Sequence, residues 1–135
     1  MRETQVIEEW LETYRRISAV AEAFHDSQSV AFGILSEYDS LGPDDRRCIL
    51  PLLAEWLLSD NNRLRYDAAF VISQRSIGEM IPAVRDALTK CERTPGPEAH
   101  YEAKKLSQLI DELARGGPDV ALNVWVTQEQ EGLPG

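Results

Sequence analysis

"LLSDNNRLRYDAAFVIS", residues 57–73, breaks an apolar helical pattern with Ser59-Asp60-Asn61-Asn62 and restarts it within a turn. Ser59 or Asp60 can end one helix and cap the next, because a side-chain oxygen there accepts from the unpaired N–H groups of a first turn. The two asparagines tolerate turn conformations. Leu64, Ala68, Val71 and Ile72 then recur at helical spacing. The stretch is predicted to be the turn of a helix-turn-helix hairpin.

On its N-terminal side, "LGPDD" (41–45) supplies a stop and a new start: Gly42 suits a helix C-terminus, Pro43 a first helical position, and Asp44 and Asp45 the positive end of the helix dipole. The helix that begins there is expected to run to about Leu58 and to bend at Pro51, where a backbone donor is missing. Leu50, Leu53, Trp56 and Leu57 carry its apolar face, with Trp56 as core. On the C-terminal side the pattern echoes. "ILPLLAEWL" (49–57) aligns without a gap on "MIPAVRDAL" (80–88), an offset of 31 residues. A period in the thirties on helical hairpins is the mark of an α-solenoid.

These residues resemble the HEAT repeats, whose motif has a proline in the first helix, an acidic residue in the turn, and an apolar residue followed by arginine early in the second helix. The matching positions are Pro51, Asp60, Leu64 and Arg65, followed by the small residues Ala68 and Ala69. The match covers residues 48–91. It departs from the pattern at Thr94-Pro95-Gly96-Pro97, where a turn acid and arginine would stand, and residues 1–41 fit only as generic paired helices. The resemblance implies an all-α fold, a short α-solenoid of about six helices, in which Asp60 and Arg65 are structural residues that link neighbouring hairpins.

The remaining helices follow from periodicity. In residues 3–24, Ile7, Trp10, Leu11, Tyr14, Ile17, Ala21 and Phe24 form one face and Glu8, Glu9, Glu12, Arg15, Arg16 and Glu22 the other. A second helix is expected from about Ser29 to Ser40 with Val30, Ile34, Leu35, Tyr38 and Leu41 apolar. The last, from Pro97, is expected to bury Tyr101, Leu106, Leu109, Ile110 and Leu113 and to stop at Gly116-Gly117-Pro118. A single helical domain is thus expected over 1–117. Residues 118–135 read as a C-terminal arm, extended where Val120, Leu122, Val124 and Val126 alternate and disordered toward "EQEGLPG". Folded back, the arm would cover an apolar end of the stack with Trp125; alternatively it docks on a second copy or a partner.

Composition narrows the function classes. The chain has 135 residues, 43% hydrophobic and 27% charged, enough for a core without disulfides or metals. No stretch is apolar enough to span a membrane, and the acidic, amphipathic N-terminus is unlike a signal peptide, so a cytoplasmic protein is expected. Cys48 and Cys91 are expected to be buried reduced thiols. The net charge of −9 disfavours nucleic acid and favours a basic protein partner.

No phosphate loop, zinc-protease, Cys-x-x-Cys or serine-hydrolase motif is present, and His25 and His100 have no spaced ligand partner. Adjacent carboxylates such as Glu8-Glu9 and Asp111-Glu112 point in different helical directions, unlike a converging acid-base pair. No cofactor and no metal are expected. The reading is a non-enzymatic protein-binding module, monomer or homodimer. In HEAT-like stacks the second helices line a concave surface, which implies Arg63, Tyr66, Asp67, Phe70 and Gln74, with His100, Tyr101 and Lys104, as partner contacts; alternatively Tyr66, Phe70 and Tyr101 are core. Asp44 and Asp45 are the candidates on the acidic surface.

A short, acidic, helical protein of this kind is similar in class to immunity proteins of bacterial polymorphic toxin systems, which implies neutralisation of a basic toxin domain. The competing readings are a scaffold or adaptor, a self-assembling structural protein, and a small HEAT-like DNA-base-processing enzyme using "RLRYDAAFVISQR" (63–75).

Overall fold

The computed structural model describes residues 2–26 and 28–116, and the arm expected at 118–135 lies outside them. The described residues form α1 (Arg2–Ala23), α2 (Gln28–Ser40), α3 (Pro43–Leu57), α4 (Asn62–Gln74), a 3₁₀ turn at Gly78–Met80, α5 (Ile81–Glu92) and α6 (Pro97–Ala114). The described residues are thus all-helical, with six α-helices, as expected. It divides into two compact units, with the boundary inside α4 between Val71 and Ile72.

In the first unit α1 packs closely on α2 and on α3. Gly33 permits the α1–α2 approach: a Cβ there would lie 3.1 Å from two carbons of Ile17. Val6, Trp10, Val30, Ile34, Tyr38, Ile49, Leu53, Trp56 and Leu57 are buried. Trp10 stacks edge-on to Tyr38 at 6.5 Å and tilts against Trp56 at 6.2 Å, while Tyr14 meets Trp56 at 4.6 Å. Aromatic rings at these distances add attraction beyond their buried area.

The connections are closed by side chains. His25 adopts a left-handed φ of 52° at the end of α1, and Asp26 accepts the Ser29 N–H at 3.3 Å to start α2. Arg46 reaches back from α3 to the last carbonyls of α2, donating to Tyr38 at 3.2 Å and Asp39 at 2.9 Å, and lies over the Tyr38 ring. A cation there also answers the negative end of the helix dipole.

At the turn Asn61 caps α4: its Oδ1 accepts from the Arg63 N–H at 2.9 Å, and Ser59 Oγ accepts from the Asn61 N–H at 3.0 Å. Asn61 directly precedes the first helical residue, where its side-chain oxygen reaches a free donor. Arg65 donates to the Ser59 carbonyl at 2.8 Å and so closes its own turn. α3 is helical on both sides of the exposed Pro51. Backbone approach between α3 and α4 is looser than between α1 and either α2 or α3.

In the second unit α5 and α6 form the closest helix pair, joined by a turn in which Gly96 takes φ 110° and Thr94 Oγ1 donates to the Lys90 carbonyl at 2.8 Å. A side chain at Gly96 would be strained by that φ. Ile72, Ile77, Met80, Val84, Ala87, Leu106, Leu109 and Leu113 are its buried residues. The echoed prolines differ in place: Pro51 lies in the interior of α3, whereas Pro82 lies at the start of α5.

Three expectations about burial are corrected. Phe24 is 76% exposed, because it lies just past the end of α1, where helical periodicity no longer applies. Tyr101 is 61% exposed and carries the Lys105 ammonium 5.0 Å above its ring. Its position in the first turns of α6 precedes the buried stripe, which begins at Leu106. Cys48 and Cys91 are reduced thiols but only half-buried, Cys48 donating to the Asp44 carbonyl at 3.4 Å and Cys91 to Glu102 Oε2 at 3.6 Å.

Candidate binding surface

α4 sorts its side chains by helical position. Ala68 and Val71 enter the core, and Asp67 goes in with them, 2% exposed. Arg63, Tyr66 and Phe70, three or four residues apart, follow another strip, with Arg63 and Tyr66 exposed and Phe70 half-buried. Phe70 meets Phe32 of α2 edge-on at 5.3 Å and Tyr66 at 6.1 Å. Phe32 is 62% exposed and Tyr66 51%. Three aromatic rings are therefore in mutual or shared contact on the surface of the first unit.

Asp67 holds the strip to the rest of the unit. Its Oδ2 accepts from the Tyr14 hydroxyl of α1 at 2.6 Å. Burial pushes the carboxyl above the usual aspartate range, with the Tyr14 hydrogen bond and the Arg63 charge pulling the other way. The Tyr14 phenol is raised in turn, by burial first and then by the carboxylate it faces, and stays a neutral donor through the physiological range. A short bond from a neutral phenol to a buried carboxylate is a structural tie between α1 and α4.

Beside the strip, between the C-terminal part of α1 and the start of α4, runs an open groove of about 650 Å³. Tyr14, Ser18, Ala21, Glu22, His25, Asp26, Asn61 and Arg63 line it. Among the described residues no group of three or more His, Cys, Asp or Glu converges as metal ligands, and no helix is long and apolar enough to cross a membrane.

Of the residues expected from sequence, the first unit thus brings Arg63, Tyr66 and Phe70 onto one strip and turns Asp67 inward. Gln74 is exposed at the end of α4, and His100, Tyr101 and Lys104 are exposed on α6 in the second unit. Asp44 is exposed and pairs with Arg47 at 3.2 Å, while Asp45 is largely covered by its ion pair with Arg2. Pro51 and Asp60 are exposed, Arg65 is half-buried, and Trp56 is core at 6% exposed.

Sequence reasoning missed Phe32 and the tie through Tyr14. Phe32 had a legible signal: it stands off the Val30-Ile34-Leu35-Tyr38 stripe, an aromatic residue on the outward side of an amphipathic helix. Tyr14 had none, since its partner lies 53 residues away. No family model, curated protein or solved structure matches the chain.

Proposed function

We propose that this chain is a non-enzymatic protein-binding module whose contact surface is the aromatic strip of α4 with Phe32 of α2. The observation that carries this reading is the exposure of Phe32 and Tyr66 in contact with Phe70. Large rings left in water forgo ~25 cal/mol for every Å² of apolar area that burial would remove from solvent. Clustered on one surface, they have the aromatic character of an interface centre, where tyrosine is enriched.

The deciding experiment is affinity capture with the tagged chain and with its Phe32→Ser/Tyr66→Ser variant, followed by a binding measurement with the purified partner. Loss of the partner by a variant that melts at the same temperature supports the strip as the contact. Equal retention by both removes it.

A second reading, the neutralisation of a basic toxin domain through an acidic surface, draws on the exposed Glu8, Glu9, Glu12 and Asp44. Exposed charges are screened over ~8 Å at physiological salt. A partner released by raised salt and by charge reversal at Glu8 and Glu9 belongs to that surface; one retained at high salt and lost with the aromatic residues belongs to the strip.

A further inference from the structure

The groove beside the aromatic strip says what kind of segment the surface takes, on the premise that the strip is the contact. Arg63 lines the groove, Tyr66 stands one turn further along α4, and Phe70 one turn beyond that, so groove and strip are continuous along one helix. The charged groups lining the groove are Glu22 and Asp26 against Arg63. Around them, residues 1–71 carry seven basic and thirteen acidic side chains, a balance of −6.

Most of the seven cations are engaged. Arg2, Arg15 and Arg47 pair with Asp45, Glu12 and Asp44. Arg46 and Arg65 bond backbone carbonyls. With Glu22 and Asp26 against one arginine in the lining, and a balance of −6 around them, the net charge facing the groove is negative, and a concave, partly apolar wall strengthens its field.

We propose that this surface binds a basic amphipathic segment of a partner protein, with its apolar side chains against Phe32, Tyr66 and Phe70 and a lysine or arginine side chain in the groove with Glu22 and Asp26. One helical turn is ~5.4 Å, so the partner's cation lies one or two turns' length from its apolar residues. Arg63 is the groove's opposing charge. Its removal strengthens the binding of such a segment, an effect opposite in sign to that of removing Glu22 or Asp26.

The experiment titrates the full chain into two fluorescein-labelled amphipathic helical peptides that share one leucine-rich face, one with lysines on its polar face and the other with glutamates. Fluorescence anisotropy is read at low and high salt. The lysine peptide is expected to bind and the glutamate peptide not to. Glu22→Gln and Asp26→Asn are each expected to weaken the lysine peptide by about three- to tenfold, and Arg63→Gln to tighten it by about the same factor. Glu8→Gln is the control for general attraction. Position 8 is ~20 Å along α1 from Glu22, beyond the ~8 Å screening length at physiological salt, so at that salt and above less than about a twofold change is expected.

Preference for the glutamate peptide, weaker lysine-peptide binding in Arg63→Gln, or equal weakening by Glu8→Gln and Glu22→Gln overturns the basic-segment assignment. In each of those cases binding that still falls in Tyr66→Ser leaves the aromatic contact standing. Binding of neither peptide, or binding indifferent to both Phe32→Ser and Tyr66→Ser, overturns the assignment and the protein-binding reading together. All the variants replace exposed side chains, and circular dichroism checks that each keeps its fold.

Discussion

The first unit holds two clusters of aromatic rings that contact one another over similar distances and differ in their exposure to water. Trp10, Tyr38 and Trp56, with Tyr14 at the margin, are closed inside α1, α2 and α3, their rings 4.6 to 6.5 Å apart. Phe32, Tyr66 and Phe70 have ring spacings of 5.3 and 6.1 Å but lie at the surface of α2 and α4. Contact geometry alone does not tell them apart. The difference is the water on one side: the inner cluster has already gained its hydrophobic stabilisation by folding, whereas the outer cluster has not, and under the proposed function that gain is left for association. α2 contributes to both, sending Tyr38 inward and Phe32 outward.

Substitutions break this comparison in order of size. Trp56→Ala is expected to cost about 3–5 kcal/mol of stability by emptying the inner cluster, measured by urea denaturation. A cost below about 1 kcal/mol would place Trp56 with the outer rings instead. Asp67→Ala, which leaves the Tyr14 hydroxyl without its acceptor, is expected to cost about 1–3 kcal/mol. Asp67→Asn keeps an acceptor oxygen and is expected to cost less, so equal losses from the two would mean that the bond to Tyr14 does not tie α4 to α1. Phe32→Ser and Tyr66→Ser are each expected to change stability by under about 1 kcal/mol, since only an exposed ring pair is lost. Under the proposed function their main effect is expected in partner affinity, read by the binding measurement.

The smallest effect is on the pH profile. Burial raises the folded Asp67 pKa above its unfolded value, so the folded state binds this proton more readily. Its contribution to stability is therefore highest below the unfolded aspartate pKa of about 3.9 and falls as pH rises through the interval up to the folded value, with no further change above it. In Asp67→Asn that part of the slope is expected to vanish. Denaturation midpoints of the two proteins across acidic pH measure it, and parallel profiles would show that the carboxyl is solvated in the folded chain.

What could be read from the chain itself was whatever depends on neighbours three or four residues apart. The helices, the turn at 58–61 and the inward stripes of α2 and α3 were legible because apolar spacing, Pro43 and the Asn-rich break act locally. Trp56 was recognisable as core on the same basis. The sidedness of α4 was legible only in part: its pattern marked Tyr66, Asp67 and Phe70 as one group, but a helix with residues of mixed character does not declare which angle faces the core.

Tertiary structure decided that Asp67 turns in, because α1 places the Tyr14 hydroxyl where a buried carboxylate needs a donor. It likewise decided that Phe32 meets Phe70 outside the core, because α2 and α4 approach there with their inner faces already filled. Both pairings join residues tens of positions apart. Local propensity carries no information about such contacts, since they depend on which helices lie side by side.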